Sequence, residues 1–388
     1  MRFPEFTGEW EKFGFADHLE RLENGANYDT NATEGLPMSR IETISSYNIN
    51  YDKVGHCNSR NIEHYKMKYG DILFSHINSM SHIGKTAYYY AEQPLYHGMN
   101  LLLIRCKDNL NSLFFYYLLN TPLFLRYCQI YAKQAVNQAS ISTSDIKRIK
   151  LSLPTLHEQN KIASFISVID QRIATQNKII QHLESLIKGI VVTHFNQCRN
   201  KQVITISDLG TAYSVGNLSK EDLSEDGEPC ILYGELFTTY GCVAHNIISR
   251  TNKYEQATLS QINDLLFPAS TTVDAVSLIA PTSIQTHGVY VAGDMFGIHI
   301  QPQYDSQYIS YLLNFVYNKE LAKYAQGSTI IHLHYSDIKR ARILVPLLDE
   351  QKKCNQLLAT LQKKLAAESL VLQMYQSQKQ YLLQQMFI

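Results

Sequence analysis

The chain has 388 residues, of which 45% are hydrophobic and 18% charged, enough for two domains of ordinary size and not the composition of a disordered protein. No apolar run approaches the roughly 18–20 residues needed to span a bilayer. The 35 basic and 35 acidic residues cancel, which argues against a DNA binder that works alone, because such proteins carry a basic surplus against phosphate; a local basic face, or phosphate contacts shared with a partner, stay open.

The opening MRFPEFTGEW has no apolar core of signal-peptide length, so export is not expected. The seven cysteines (Cys57, Cys106, Cys128, Cys198, Cys230, Cys242, Cys354) are scattered, odd in number and without a CxxC pair. They predict neither a disulfide framework nor a zinc cluster, but a reduced, cytoplasmic protein. Following the chain, strands are predicted at residues 71–74 and 87–90 and a helix at 114–119. Further on come strands at 288–292 and 296–300 and a helix at 308–316. The 26 tyrosines exceed ordinary need and suit core, rim and interface packing.

An internal repeat organises the whole. Residues 144–195 align without a gap to 336–387, with 14 of 52 columns identical. Ser144-Asp145-Ile146-Lys147-Arg148 recurs as Ser336-Asp337-Ile338-Lys339-Arg340, and Pro154, Glu158 and Gln159 recur as Pro346, Glu350 and Gln351. Upstream, Gly70-Asp71-Ile72-Leu73-Phe74 echoes Asn263-Asp264-Leu265-Leu266-Phe267, and Tyr117-Leu118-Leu119-Asn120 echoes Tyr311-Leu312-Leu313-Asn314.

Each tail reads as a long helix of about 38 residues, near 57 Å at 1.5 Å per residue. Thr155 with Glu158 has capping-box spacing, and Asp349 is the expected cap of the second copy. Apolar residues alternate at steps of four and three through Ile162, Ile166, Ile169, Ile173, Ile180 and Leu183, with Gln176 in the one gap. The second seam runs through Leu358, Leu361, Leu365, Glu368, Leu372 and Leu382. Helices of this length predict pairing with each other rather than packing on their own domains. Chain order makes that pair antiparallel: two globular heads on a rod, with a pseudo-twofold axis that sets Gln176 opposite Glu368 and Ile162 opposite Leu382. The expected fold is mixed α/β (α+β), with domains at 1–150 and 198–342 and helical spacers at 151–197 and 343–388.

Catalytic signals fail on inspection. Gly84-Lys85-Thr86 resembles the end of a phosphate loop, but Ser79 stands where a glycine is required and a strand follows. No glycine-rich methyl-donor loop is present, and Asn120-Thr121-Pro122-Leu123 is not an adenine-methylase motif. Glu350-Gln351-Lys352 has nuclease spacing, but its counterpart Glu158-Gln159-Asn160 does not, and both sit where acids favour a helix start. His332 and His334 lie two apart without a third ligand, so no metal site is expected.

The run from Ile149 through Pro154, Glu158, Gln159, Lys161, Ile162 and Ala163, then a heptad helix ending at Phe195, resembles the conserved region of type I restriction–modification specificity subunits. The run from Ile343 through Pro346, Glu350, Gln351 and Lys353 repeats it. The opening Arg2 to Trp10, the segment Gly70 to Ser75, and Gly327-Ser328-Thr329-Ile330 ahead of Ser336 are similar to that family as well. The first copy departs at the last of these, with Gln138-Ala139-Ser140-Ile141 and no glycine. The resemblance implies a non-catalytic, sequence-specific DNA-recognition subunit with two target-recognition domains that read a split double-stranded target. It implies two methylase subunits docked on the helical spacer and separate restriction motor–nuclease subunits. S-adenosylmethionine, ATP and magnesium would then be used by those partners and not by this chain.

Reading bases requires donors and acceptors on exposed loops. The candidates are Ser75, His76, Asn78, Lys85, Asn137 and Gln138 in the first domain, and Ser270, Thr271, Thr272, Ser328, Thr329, His332 and His334 in the second. Two rival readings remain. A fused methylase–nuclease would need the missing motifs. A coiled-coil adaptor or orphan specificity protein would not read DNA directly, and unlike heads on similar tails argue against it.

Overall fold

The protein is described by a computed structural model over residues 1–27, 32–44, 47–58, 62–134 and 138–387. It divides into two units, Met1–Asn177 with Leu370–Ile388, and Lys178–Ser369.

The first unit is built on an antiparallel sheet in the order Leu19–Asn24, Leu102–Cys106, Ile72–Phe74, Thr86–Tyr88. Alternation along the strands sends Ile72, Phe74, Leu102 and Ile104 into the core shared with the helix Ser112–Leu119, while Leu73, Ala87, Leu101 and Leu103 enter a second, smaller core. The second unit repeats the order: Gly210–Ser214, Met295–Ile300, Asp264–Pro268, Thr282–Ile284, with Val243–Ala244 added at the edge. The helix Ser306–Phe315 matches the one at Ser112–Leu119. The two strands predicted at 288–292 and 296–300 are present as Tyr290–Ala292 and Met295–Ile300 but lie in different sheets. Tyr290–Ala292 sits between Glu228–Leu232 and Thr258–Leu259. Gly293, at φ +102°, makes the break between them.

The echo of Gly70-Asp71 in Asn263-Asp264 has a backbone cause. Gly70 and Asn263 both adopt the left-handed region, at φ +90° and +73°, which glycine and asparagine tolerate best. The aspartate that follows is buried in both units and accepts the N–H three residues before it, from Lys68 at 2.7 Å and from Gln261 at 2.9 Å. Asp71 also takes two bonds of 2.7 Å from the Arg105 guanidinium, and Asp264 pairs with His299 at 2.7 Å and accepts the Tyr213 hydroxyl at 2.8 Å. A buried carboxylate needs such partners, or its desolvation would cost several kcal/mol, of order ~3–5 if one were removed.

The long helices run Leu156–Gln197 and Leu348–Gln385. Thr155 caps the first, its Oγ1 accepting the Glu158 N–H at 3.4 Å. Asp349 does not cap the second: the helix already begins at Leu348, so Asp349 lies in its first turn, and the Leu347 carbonyl accepts the Gln351 N–H at 3.1 Å. Leucine replaces threonine at the cap position itself, and Asp349 acts on the helix dipole instead.

The expectation that these helices pack on each other rather than on their own domains needs correction, because within each unit they do both. In the first unit Ile162, Ile166 and Ile169 share a core with Phe114, Phe115 and Leu118 of the domain, and with Leu382, Leu383 and Met386 from the end of the second helix. In the second unit Ile187, Val191 and Phe195 share a core with Tyr308, Leu312, Cys354 and Leu358. The end of one helix therefore lies with the start of the other in each unit, the antiparallel direction. Of the other seam residues, Gln176 and Leu183 are buried, while Ile173, Ile180, Leu361, Leu365, Glu368 and Leu372 are half-buried. The helices also meet in the first unit through an ion pair of Asp170 with Lys379 at 2.6 Å and through Arg172 over the Tyr375 ring at 5.8 Å.

The repeated Pro-x-x-x-Glu-Gln motif fastens each domain to its helix. Gln159 is buried; its Nε2 donates to the Pro154 carbonyl at 3.0 Å and its Oε1 accepts the Asn111 N–H at 2.9 Å. Gln351 repeats both bonds, to the Pro346 carbonyl at 2.8 Å and from the Asp305 N–H at 2.8 Å. Asn111 and Asp305 are the N-caps of the helices Ser112–Leu119 and Ser306–Phe315. A second link recurs further along. The Tyr117 hydroxyl donates to Asp170 at 2.7 Å, and Gln362, at the repeat position of Asp170, donates to the Tyr311 hydroxyl at 2.5 Å.

Replacing Gln351 by alanine strands a carbonyl and an N–H inside the protein, a cost of about 1–3 kcal/mol. Chemical unfolding of Gln351→Ala should show a loss of that size, whereas Gln356→Ala on the exposed face of the same helix should change little. Equal losses from the two variants would remove the clamp's role.

Candidate nucleic-acid interface

In each unit the chain leaves the central strand that follows the buried aspartate and is at once recaptured by a loop from just before the long helix. In the first unit Ile77–Asn78 pairs with Ala139–Ser140, and Lys133–Gln134 flanks the other side. The Ile141 N–H donates to the His76 carbonyl at 2.9 Å. In the second unit Ser270–Thr271 pairs with Ile331–His332, and the Leu333 N–H donates to the Ala269 carbonyl at 2.9 Å. Two loops separated by about sixty residues of sequence thus meet in the same way twice. The first-copy loop makes this pairing although it lacks the glycine present in the second.

That glycine has its own reason. Gly327 sits at φ +114°, and a Cβ there would lie 2.1 Å from the Ile330 carbonyl oxygen, so no other residue fits the turn. The turn is closed by Gln326 and His332, which exchange backbone bonds of 2.9 and 2.7 Å. In the first unit the excursion after Phe74 is closed by the Ser75 N–H to the Lys85 carbonyl at 2.8 Å and the Gly84 N–H to the Ser75 carbonyl at 2.9 Å. Gly84-Lys85-Thr86 therefore ends a hairpin and runs into a strand at Thr86–Tyr88.

The candidate residues divide by burial. Ser75, His76 and Ser270 are buried and form the base of the loops; Asn78 is half-buried and donates to the Ser75 hydroxyl at 3.2 Å. Lys85 is half-buried with its ammonium 5.1 Å from the centre of the Tyr47 ring. Thr271 is half-buried and its hydroxyl accepts the Val273 N–H at 3.2 Å. Gln138, Thr272, Ser328, Thr329, His332 and His334 are exposed. Asn137 lies outside the described residues. The His332 and His334 rings lie near-parallel with centroids 6.2 Å apart, and no third His, Cys, Asp or Glu among the described residues joins them as a ligand set.

The structure adds residues that sequence reasoning passed over. Lys133, Gln134 and Ser140 are exposed on the same small sheet as Asn78. A strand of two residues leaves no periodicity to detect. Ser79, Ser81 and His82 form a polar tip beside it, with the Ser79 and Ser81 hydroxyls each 3.0 Å from His82 Nδ1. This surface offers amide, hydroxyl and imidazole groups with few fixed charges, suited to hydrogen bonding at base edges more than to phosphate neutralisation.

Burial lowers the His76 imidazole to about 4, and His97 in the same unit is likewise lowered to about 4. A buried histidine held neutral contributes its full stability above the unfolded value near 6.5, and that contribution is lost as pH falls toward 4. The thermal midpoint of the first unit should therefore drop between pH 6.5 and 4, and His76→Gln should flatten part of the drop. An unchanged slope in that variant would show that His76 is not held neutral.

Comparison with known proteins fits this duplicated plan. The family described as the type I restriction modification DNA specificity domain matches residues 9–185 and again residues 199–371. The putative type I restriction enzyme MjaX specificity subunit of Methanocaldococcus jannaschii is 31% identical over 377 residues, covering 90% of this chain and 85% of the relative. The crystal structure of a type I restriction–modification S subunit from M. genitalium shares the fold, with a TM-score of 0.55 at 17% identity over 100% of this chain and 99% of that one. A chain from a structural study of complex assembly and conformational transition in a type I system also shares the fold, with a TM-score of 0.51 at 12% identity, covering 98% of this chain and 97% of that one. The chain thus belongs to the type I restriction–modification specificity subunits, the non-catalytic members of those systems.

Proposed function

We propose that the chain reads a bipartite DNA target for a type I restriction–modification complex, each unit's paired loops contacting one half of the site. The long helices set the distance between half-sites and carry two methylase subunits. S-adenosylmethionine comes with the methylase, and ATP and magnesium come with restriction motor–nuclease subunits. The observation that carries this reading is the twofold recurrence of one loop pairing on unlike sequences: Ile77–Asn78 with Ala139–Ser140, and Ser270–Thr271 with Ile331–His332. Conserved scaffolding under divergent polar tips is what two readers of different half-sites require.

Exchanging residues 1–150 for those of a related specificity subunit, then sequencing the methylated bases of the host, tests the reading. One half of the target should change and the other should persist. A change in both halves, or in neither, would contradict independent reading.

The cancelled net charge adds a second expectation. Phosphate neutralisation supplies most non-specific affinity, so the isolated chain should bind a target duplex weakly and gain affinity, with a steeper salt dependence, once methylase is added. Equally tight binding by the isolated chain would mean that the phosphate contacts are its own.

A further inference from the structure

The Glu158 carboxylate, in the first turn of the first long helix, is buried and held bidentately by the Arg2 guanidinium, with both bonds at 2.7 Å. Its repeat counterpart Glu350 has different surroundings. Glu350 Oε1 accepts the Lys353 ammonium at 2.6 Å, while Oε2 faces His194 and Cys198 from the end of the first long helix. Within the second unit these three side chains form a nearly equilateral triangle. His194 Nε2 lies 3.8 Å from Glu350 Oε2, Cys198 Sγ lies 3.9 Å from Glu350 Oε2, and Cys198 Sγ lies 3.8 Å from His194 Nε2.

We propose that His194, Cys198 and Glu350 form a binding site for a divalent transition metal of zinc type, which ties the end of the first long helix to the start of the second within this unit. The donor set is one imidazole nitrogen, one thiolate sulfur and one carboxylate oxygen, three of the four ligands of a tetrahedral zinc ion, with water as the fourth. Bond lengths of about 2.0–2.3 Å put neighbouring donors in such a site roughly 3.4–3.6 Å apart. The present triangle needs to contract by only a few tenths of an ångström. His194 and Cys198 are four residues apart, and the Cys198 N–H donates to the His194 carbonyl at 3.0 Å, so helical geometry holds both on one face. His194 Nδ1 lies 3.4 Å from the Tyr308 hydroxyl, the outer partner that leaves Nε2 turned toward the triangle. Hard oxygen-seeking ions such as magnesium are disfavoured by the sulfur and nitrogen donors.

The signal in the sequence is thin. His-x-x-x-Cys at a helix end has the right period, but the third ligand lies 152 residues away in the chain. The second copy carries Met386 at the position of His194, so the repeat alignment does not reveal the site either.

The test strips the full-length chain with a chelator and titrates it with cobalt(II), whose spectrum reports coordination, then with zinc. One equivalent of cobalt should give the visible bands of a four-coordinate ion and a near-ultraviolet thiolate charge-transfer band, both removed by zinc. Cys198→Ser should abolish the charge-transfer band. His194→Ala should weaken cobalt binding by more than roughly ten-fold, a loss that even an orienting partner of a ligand produces. Cys106→Ser, a thiol in the other unit, should change neither. If Cys198→Ser fails to fold, as judged by circular dichroism, Glu350→Gln keeps the shape and removes the carboxylate, and zinc affinity should still fall. No thiolate band in the wild type, a band that survives Cys198→Ser, or zinc affinity unchanged in Glu350→Gln would each overturn the proposal.

Discussion

A single buried amide in each repeat holds the architecture together. Gln159 and Gln351 each use both ends of the side chain, donating to a proline carbonyl and accepting the N–H that opens the domain's main helix. Glutamate in its place would lose the donor, lysine would lose the acceptor, and asparagine is one methylene shorter. Because the acceptor end is tied to an N-cap, the bond fixes the helix that covers the sheet as well as the start of the long helix. Everything carried by that sheet inherits its place from this clamp, the paired loops included. Tyrosine contacts further along reinforce it in both units, with Asp170 as the partner in one and Gln362 in the other.

The paired loops show what the duplication keeps and what it varies. Backbone pairing is kept, as is the buried aspartate at the head of the central strand. The partner of that aspartate is not kept: arginine serves in the first unit and histidine in the second. Exposed tips differ freely, with Gln134, Gln138 and Ser140 on one and Thr329, His332 and His334 on the other. The clamp and the sheet set geometry, and the tips are left to carry specificity under the proposed reading. Chemistry on DNA needs no group from this chain, consistent with a family whose specificity subunits are non-catalytic.

Much of this was legible in the sequence, for identifiable reasons. The tails repeat because both must present the same clamp and the same helix start, so Pro154, Glu158 and Gln159 recur unchanged as Pro346, Glu350 and Gln351. The heptad seam survived because apolar burial is periodic along a helix. What escaped was decided by tertiary contact. Ser75 and His76 looked like loop residues from their polarity, yet the strand pairing beside them turns them inward. Asp349 looked like a cap from its type, but the second helix starts at Leu348, as the first starts at the equivalent Leu156, which puts Leu347 at the cap. The helices looked too long to rest on their own domains, but each rests on its domain over one stretch and on the other helix beside it. Of the His194–Cys198–Glu350 triangle the sequence shows only the helical spacing of the first two, since the third joins them after folding.

Photocrosslinking from the loop tips tests the reading most directly. A benzoyl-phenylalanine placed at Gln138 or at Thr329, both exposed, in the chain assembled with its methylase, should crosslink to a target duplex. The two positions should mark opposite halves of the site, while the same probe at Ile248, exposed elsewhere on the second unit, should mark neither. Crosslinks from both tips to the same half, or none from either, would contradict the assignment of these paired loops as the surfaces that read DNA.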